Sequence, residues 1–459
     1  MRLGELDPAG LLMSEESFVP VHARVLILAR DDSLAGPLAE GLDRLGWRTL
    51  TARGIYAGIA ALADLQIQAA IIDVASYGEE ARDLAQRLKA ASGARRLPII
   101  AIGSPNPESD LNAFDLTLAA PLHPAQAAFR LESLVRTATA QEEYELRAET
   151  FAERGRLLEP PQSGGAPWRV LAIGEPAPQF LALSNALKHA GADVVGAFTA
   201  YTAFDYLHDQ AFEAVVLWAG DDQAESLSIA AGMRRNTRLY HIPALLYLRP
   251  DADLSMSEIF HRGVSDVATP DTPESDTAAR VVELAKAYRR QTSIRGALNR
   301  ARSSGLMDAA TGLFTRDLFA AHLARLTQSS RQRNRALSVC VLRLTERADL
   351  AMLRAAGWMD RAVPQIGSMI GRLVRAEDTA ARLGPETFAL ALPSTHLISA
   401  RAAAERIAAV IGCTAFDAGE GRPPFVVEFD IGVAEVERGE TAGMALERAA
   451  ARLQQAKAS

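Results

Sequence analysis

Two charged residues in the last third of the chain have the spacing to bind one ligand together. Arg375 and Asp378 lie three residues apart in the segment Arg-Ala-Glu-Asp, where a predicted apolar helix ends. An arginine offers a planar fork of N–H donors, whereas an ionised carboxylate only accepts hydrogen bonds. The pair can therefore contact donors and acceptors of the same polar ligand. The alternative is a surface ion pair, worth at most about 1 kcal/mol.

A β-hairpin is predicted directly after this pair. The apolar run Phe388-Ala-Leu-Ala-Leu392 indicates a strand, and Gly384-Pro385 is the predicted two-residue turn before it. Glycine adopts positive φ at no steric cost, so we expect Gly384 to reverse the chain in that conformation. Glu386 and Thr387 complete the segment, and Pro385 removes a backbone donor from it.

The elements that position these residues follow a repeated pattern. Short apolar runs alternate with amphipathic segments from Arg24 to about residue 138, and the same rhythm restarts at Arg169, about 145 residues later. Runs of four or five apolar residues between helices indicate parallel strands that are covered on both faces. The sequence thus predicts an α/β fold with two doubly wound domains, followed by a third α/β domain.

Composition shifts give the predicted boundaries. A helix is predicted from Pro124 to about Leu158, and the Pro/Gly-rich segment after it cannot continue that helix. A second long helix, from about Glu274 to Arg302, connects the second domain to the third. The predicted units are a leader (1–22), a first domain with an extended last helix (23–158), a linker (159–167), a second domain with a linking helix (168–302) and a third domain (303–459).

The overall composition narrows the class of protein. The chain is 49% hydrophobic and 23% charged, with a formal net charge of −7 that is spread without long blocks. This balance argues against a nucleic acid or an anionic membrane bound through bulk charge. No apolar run is long enough to span a membrane, and no signal peptide is evident. Cys340 and Cys413 lie far apart, which favours reduced thiols and a cytoplasmic protein.

Residues 303–459 resemble the GGDEF domain of the diguanylate cyclase family. Asp308-Ala-Ala-Thr-Gly-Leu313 resembles the family's N-terminal motif, and Gly384–Phe388 stands where its signature hairpin, Gly-Gly-Asp/Glu-Glu-Phe, is expected. The two preceding domains resemble response-regulator receiver domains. The chain as a whole is therefore similar to the PleD-type receiver–receiver–GGDEF family, with a degenerate signature. This resemblance implies two flavodoxin-like domains followed by a nucleotidyl-cyclase-like domain.

The resemblance also implies that the catalytic site has been lost. Diguanylate cyclases bind two Mg²⁺ ions through carboxylates, and these positions correspond to Arg343 and Thr387 here. The guanine-reading asparagine of the family corresponds to Ala351. A cation and a neutral hydroxyl cannot replace metal-binding carboxylates. We therefore expect no catalytic residue, no metal and no cyclase activity.

The inhibitory site of the family has kept its residues. Family members carry an Arg-x-x-Asp motif five residues before the signature, and it binds the product, cyclic di-GMP. Arg375 and Asp378 match that motif at that distance, and Arg406 corresponds to a secondary arginine that clasps the same ligand. The resemblance thus predicts cyclic di-GMP as a bound effector at Arg375, Asp378 and Arg406.

Neither receiver-like domain has the residues that phosphorylation requires. Asp73 stands at the phosphoryl-accepting position of the first domain, but Gly103 and Ala120 replace the Thr/Ser and Lys that clamp the phosphoryl oxygens. In the second domain, Trp218 occupies the accepting position. We therefore expect Asp73 to be structural and neither domain to be switched by phosphorylation.

These features predict a non-catalytic effector or adaptor in signal transduction. The resemblance implies a homodimer whose protein partners include a protease adaptor or a polar scaffold. It also implies placement at the cell pole and regulated ClpXP proteolysis in cell-cycle control. The main alternative is a scaffold that acts without a ligand, and a weak diguanylate cyclase is the third hypothesis. Cyclic di-GMP binding separates the first two hypotheses, and GTP turnover separates the third.

Overall fold

The structure is a computed structural model. It describes residues 24–103, 113–118, 122–162, 164–218, 223–236, 238–248, 255–269, 271–301, 305–419 and 422–455. The predicted leader, residues 1–22, lies outside the described residues, and so does Ala120. Within the described ranges, no helix combines the length and the apolar character that crossing a membrane requires.

The first domain is built around a five-stranded parallel sheet with the order β2-β1-β3-β4-β5. Successive residues of β1 alternate between two apolar clusters, because neighbouring side chains of a strand point to opposite faces. Both faces are thus buried, as the uninterrupted apolar runs predicted. Its elements are β1 (Arg24–Leu28), α1 (Asp32–Arg44), β2 (Arg48–Ala52), α2 (Ile55–Asp64), β3 (Ile67–Asp73), α3 (Val74–Tyr77), α4 (Glu80–Ala91), β4 (Ile99–Ile102), β5 (Leu116–Leu118) and α5 (Pro124–Ala152).

The second domain repeats this architecture. Its parallel sheet has the order β10-β9-β8-β6-β7, which is the same arrangement read from the opposite edge. The predicted pair of doubly wound α/β sheets is therefore confirmed. The elements are β6 (Trp168–Ile173), α6 (Pro178–His189), β7 (Ala192–Ala197), α7 (Ala200–Asp209), β8 (Ala214–Trp218), α8 (Gln223–Arg235), β9 (Ala244–Tyr247), α9 (Met256–His261), β10 (Asp266–Ala268) and α10 (Glu274–Arg300).

The third domain contains an antiparallel sheet with the order β12-β13-β11-β14. Apolar clusters cover both faces of the sheet, and Phe388 is fully buried in one of them. The elements are α11 (Arg316–Gln332), β11 (Leu337–Leu344), α12 (Ala348–Ala355), α13 (Trp358–Leu373), β12 (Thr379–Gly384), β13 (Thr387–Pro393), α14 (Leu397–Gly412), β14 (Phe429–Glu435) and α15 (Ala442–Gln455).

The predicted hairpin is present, but its turn differs from the prediction. Gly384 pairs with Thr387, so the two turn residues are Pro385 and Glu386. Gly384 belongs to β12 and does not have positive φ. Proline fixes φ near −65°, which suits the first position of an ordinary turn and excludes the positive φ of the usual hairpin turns. An irregularity in pairing between Arg382 and Gly384 accommodates this turn.

Helix α5 contacts all three domains. Leu131 packs in the core of the first domain, and Gln126 Nε2 donates to Asp266 Oδ1 of the second domain at 2.6 Å. Phe151, near the other end of the helix, is fully buried in the core of the third domain. The helix ends at Ala152 rather than near Leu158, because Gly155 adopts positive φ (70°) in the turn that follows.

Candidate functional site

Arg375 and Asp378 are brought together in the turn that joins α13 to β12. The apolar face of α13 is buried, and its last helical residue is Leu373. The Arg375 N–H donates to Asp378 Oδ2 at 2.9 Å, and the Asp378 N–H donates to the Arg375 carbonyl at 3.2 Å. The pair therefore lies after the helix rather than on its last turn. The carboxylate of Asp378 stabilises the turn by accepting the hydrogen bond from the Arg375 N–H.

The carboxyl group of Asp378 faces inward. The residue is only 7% exposed, and Glu377 beside it is also buried, whereas Arg375 is half-buried. Among the described residues, Asp378 Oδ1 has no hydrogen-bond partner. Burial raises the pKa of Asp378 to about 7, and the charge of Glu377 adds to the rise, while Arg375 partly offsets it. The turn thus holds a carboxyl group that is poorly stabilised in its ionised form.

Two long helices of the other domains cover this turn. Ala376 packs against a small apolar cluster formed by Ala140 of α5 and by Ile294 and Leu298 of α10. One turn further along α5, Tyr144 packs against the same cluster. Ala376, two residues before Asp378, is thus covered by residues that lie more than seventy positions away in the sequence.

A buried polar cluster lies beside the covered turn. It consists of Glu143 and Arg147 of α5, His322 of α11 and Thr379 of β12, and each of these residues is at most 3% exposed. Glu143 Oε1 accepts from Arg147 Nη2 at 2.7 Å, from His322 Nε2 at 2.8 Å and from Thr379 Oγ1 at 3.2 Å. Burial favours a raised pKa for Glu143, but His322 and Arg147 outweigh it and lower this pKa.

The sequence reasoning missed this polar cluster. The only local signal is the spacing of Glu143 and Arg147, which places them on one face of a helix. Their partners His322 and Thr379 are distant in the sequence, and neither belongs to a motif. No pattern in a single sequence links such residues, because the packing of α5 against the third domain creates the contact.

We expect Asp378→Asn to make stability less dependent on pH. A carboxyl group whose folded-state pKa is raised stabilises the fold below its unfolded value, near 3.8, and this contribution is lost as pH rises through about 7. Asparagine resembles the protonated carboxyl at every pH. Relative to the wild type, the unfolding free energy of the variant should therefore rise by on the order of 2–4 kcal/mol between about pH 4.5 and pH 8.

Urea unfolding at the two pH values measures this difference. Asp205→Asn, at an exposed aspartate of α7, is the control and should change the unfolding free energy by no more than about 0.5 kcal/mol at either pH. The charged groups around Asp378 are Glu377 and Arg375 in the turn and Glu143 of α5, and all three are unchanged in the variant. A stability difference between the variant and the wild type that is the same at both pH values would contradict the expectation.

Arg406 lies on a different element from the turn. It is on α14, a helix that packs beside α13, and its side chain is exposed. Arg401, one and a half turns earlier on the same helix, is exposed as well. This placement suits contact with a ligand that is also bound by a second molecule or domain.

The two predicted metal positions face each other across the sheet. Arg343 of β11 pairs directly with Thr387 of β13 on one side and with Asp430 of β14 on the other. Arg343 Nη2 lies 3.6 Å from Asp430 Oδ2, so the nearby carboxylate already has a cation beside it. Within the described parts of the chain, no group of three or more His, Cys, Asp or Glu side chains could hold a metal ion. These residues do not fit Mg²⁺, because a guanidinium occupies the place of a ligand.

The remaining acidic residue of the hairpin is also paired. Arg354 of α12 donates to both carboxylate oxygens of Glu386, with 2.6 Å between Nε and Oε1. The Glu386 carbonyl accepts from the Leu344 N–H at 3.1 Å. This pairing connects the hairpin to α12, the helix that carries the exposed Ala351 at the predicted guanine-reading position. Sequence reasoning did not predict the role of Arg354, which is an arginine in a helix of otherwise ordinary composition.

The carboxylate of Asp73 has a structural role in the first domain, as the N-cap of a short helix. It is 4% exposed and caps the short helix α3, because its Oδ1 accepts from the N–H groups of Ala75 at 3.1 Å and Ser76 at 3.4 Å. Asp31, after the first strand, caps α1 by accepting from the Ser33 N–H at 2.9 Å. Arg30 forms an ion pair with Glu80 at 2.6 Å. The carboxylates are thus used in helix caps and ion pairs.

Aromatic side chains fill the corresponding place in the second domain. Trp218 stacks on Tyr247 with 4.6 Å between ring centroids, and its edge meets Phe180 at 6.2 Å. Gly174 lies so close that a Cβ atom there would be 2.5 Å from the Trp218 Cβ. Trp218 thus places an indole, and not a carboxylate, at this position of the second domain.

Comparisons with known proteins agree with the fold of the third domain. Residues 305–459 match the family described as "Diguanylate cyclase, GGDEF domain". The response regulator PleD of Caulobacter vibrioides is 26% identical over 246 residues, which are 53% of this chain and 54% of PleD. The chain thus matches about half the length of this relative.

Solved GGDEF structures are also similar to about a third of the chain. The FimX GGDEF domain from Pseudomonas aeruginosa is 20% identical, and the match covers 33% of this chain and 92% of that one, with a TM-score of 0.31. The GGDEF domain of DgcB from Caulobacter crescentus, in complex with cyclic di-GMP, is 23% identical, with 33% and 88% covered and a TM-score of 0.31. Residues 305–459 are thus similar to the GGDEF domains of diguanylate cyclases, and about half of the chain is similar to the response regulator PleD.

Proposed function

We propose that the chain is a non-catalytic cyclic di-GMP-binding effector that recruits or localises partner proteins. One observation carries the proposal: Arg375 and Asp378 share a single turn, at the place where the resembling family binds cyclic di-GMP. The arginine supplies a planar fork of donors, and the carboxylate supplies acceptors for guanine N–H groups. Arg406, exposed on α14, is the proposed third ligand residue.

The proposed absence of catalysis rests on the hairpin and its surroundings. Phosphoryl transfer in this family needs Mg²⁺ to neutralise the triphosphate. Arg343 places a positive charge at one metal position, and Thr387 offers only a neutral hydroxyl at the other. The ion pair between Arg354 and Glu386 also occupies the remaining carboxylate of the hairpin. These features support a domain that binds the product of the family's reaction without making it.

The two doubly wound domains are proposed to be receiver-like and to mediate protein contacts. Capping of α3 by Asp73 and the aromatic packing of Trp218 support domains that are not switched by phosphorylation. By resemblance, we propose a cytoplasmic homodimer that docks a protease adaptor or a polar scaffold. Its role would be placement at the cell pole and delivery of a cell-cycle regulator to ClpXP.

A scaffold that needs no ligand is the second candidate function. The observation that favours it is the burial of Asp378, which lies in a turn whose Ala376 packs against α5 and α10. In that arrangement the turn stays packed against the other two domains and binds no ligand. The third domain then contacts partner proteins through its exposed surface. The two candidates differ in whether the turn between α13 and β12 binds a dinucleotide.

Titration of the full-length chain with cyclic di-GMP tests the proposal. Calorimetry should show saturable binding at micromolar ligand, and GTP and cyclic GMP should compete poorly. In a parallel reaction with GTP and Mg²⁺, no cyclic di-GMP should form above a blank without protein. Absence of saturable binding would exclude the effector function in favour of the scaffold, and formation of product would show a weak cyclase instead.

A further inference from the structure

The turn between α13 and β12 is closed in this structure, in the sense that the Asp378 carboxyl group is buried. In this closed state Asp378 cannot contact a ligand. Its Oδ2 accepts from the Arg375 N–H, and its Oδ1 is buried without a partner among the described residues. A guanine that approached from outside would have to reach a buried carboxyl group in a turn whose Ala376 packs against α5 and α10. Ligand binding through Asp378 therefore requires that the turn separate from these helices.

The polar cluster supplies the hydrogen bonds between α5 and this part of the chain. Arg147 Nη2 donates to Thr379 Oγ1 at 3.1 Å and lies 3.4 Å from the Asp378 carbonyl. Thr379 Oγ1 donates in turn to Glu143 Oε1 at 3.2 Å. A helix of the first domain is thus connected to the residue next to Asp378 by hydrogen bonds between buried side chains. Such bonds to charged groups are stronger than those between neutral groups.

The closed arrangement is not fully satisfied. Asp378 Oδ1 and Glu143 Oε2 are two buried carboxylate oxygens that lack partners within the described residues. Leaving such oxygens buried and unpaired is unfavourable, so the closed turn carries an internal cost that opening would relieve. The polar cluster favours closure, whereas the unpaired oxygens favour opening. Two opposing contributions of this kind are what a two-state element needs.

We propose that the polar cluster holds the turn closed, and that closure by α5 and binding of cyclic di-GMP exclude each other. The inference rests on the proposed function. Because such coupling is reciprocal, a ligand that binds the open turn also releases α5 from it. Since α5 contacts all three domains, the third domain would then move relative to the first two. Binding of the dinucleotide would thus change the position of the receiver-like domains relative to the third domain through α5.

Weakening the polar cluster should strengthen ligand binding. The apparent dissociation constant equals the intrinsic constant divided by the fraction of open molecules. Thr379→Val removes the hydroxyl that bonds Glu143 and Arg147, yet it keeps the size of the side chain. Losing these two bonds should raise the open fraction about fivefold to thirtyfold. The affinity for cyclic di-GMP should increase by the same factor.

The experiment compares Thr379→Val with the double variant Glu143→Gln, Thr379→Val and with a matched control. The control, Thr327→Val, removes a buried threonine hydroxyl whose one hydrogen bond within the described residues is to the Leu323 carbonyl of its own helix. Hydrogen–deuterium exchange of a peptide that spans the turn measures opening without any ligand. The Arg375 amide is a direct reporter, because it is protected while Asp378 faces inward. Calorimetry on the same proteins gives the affinity for cyclic di-GMP.

We expect both cluster variants to exchange faster in the turn and to bind cyclic di-GMP more tightly by a similar factor, whereas the control changes neither. Faster exchange with unchanged or weaker affinity would overturn the mutual exclusion. Unchanged exchange would overturn closure by the polar cluster. If neither the wild type nor any variant binds the dinucleotide, but hydrogen exchange in the turn is faster in the cluster variants, the proposed function fails and closure of the turn by α5 is supported. The two failures are therefore distinguishable.

Discussion

Replacing Phe151 by alanine should lower the free energy of unfolding of the third domain by about 3–5 kcal/mol. Phe151 belongs to α5, the last helix of the first domain, yet it is fully buried among Phe314, Leu318 and Phe319 of the third. Its ring meets that of Phe314 edge to face, with 5.8 Å between the ring centroids. Truncation would leave a cavity in a core that two domains share. Urea unfolding followed by circular dichroism measures the change.

Phe129→Ala is the matched control on the same helix. Phe129 is 43% exposed, and the guanidinium of Arg234 lies over its ring, 5.7 Å from the ring centroid. Its removal should cost about 1 kcal/mol or less. An effect of Phe151→Ala as small as that of Phe129→Ala would mean that α5 does not contribute to the core of the third domain. The inferred coupling of α5 to the turn would then lose its structural basis.

Local patterns were sufficient to predict the architecture of the first two domains. The runs Val25-Leu-Ile-Leu28 and Ala214-Val-Val-Leu217 are apolar at every position, because both faces of a parallel sheet are buried. That property belongs to each strand separately, so it can be recognised without knowledge of the neighbours. The same reasoning could not predict the course of α5. Its buried residues include Gln126, Glu143 and Arg147, which in a sequence resemble a solvated face.

The candidate site shows the same division between local and long-range information. The spacing of Arg375 and Asp378 predicted that the two residues could bind one ligand at the end of a helix. The structure places them in the turn after that helix, where hydrogen bonds within four residues determine their geometry. The covering of this turn depends on α5 and α10, which pack against Ala376 and which the motif does not contain. The turn of the hairpin was predicted one residue too early. Its position is set by pairing between strands, in which Gly384 already faces Thr387.

The orientation of Asp378 also explains why an intact motif and a covered site can coexist. A motif specifies which groups meet a ligand once the turn is open, whereas packing specifies how often it opens. Arg375, half-buried at the start of the turn, and Asp378, buried at its end, would therefore contribute differently to affinity. Substitution of Asp378 removes an acceptor and also removes a buried charge that disfavours closure. Substitution of Arg375 gives the clearer test of the ligand contact.

Arg375→Ala should weaken binding of cyclic di-GMP by about tenfold to a hundredfold or more. The guanidinium is proposed to donate a two-pronged fork to a guanine edge or a phosphate and to stack on a base. Each charge-assisted hydrogen bond contributes about 1.5–3 kcal/mol, and 1.4 kcal/mol corresponds to a tenfold change in affinity. Arg375→Lys should recover only part of the loss, because an ammonium group cannot reproduce the planar fork. Calorimetry on the full-length variants provides the measurement.

Two controls separate a specific contact from a general effect of charge. Arg372, exposed on the last turn of α13, lies three residues before Arg375 and carries the same charge. Arg372→Ala should therefore keep the affinity within about twofold, since charge at the surface is screened by salt. Thr387→Ala changes the degenerate hairpin and should have as little effect, because Thr387 faces Arg343 across the sheet. If Arg375→Ala bound cyclic di-GMP as tightly as the wild type, the ligand would have to occupy a different site, and the assignment of Arg375 and Asp378 would be wrong.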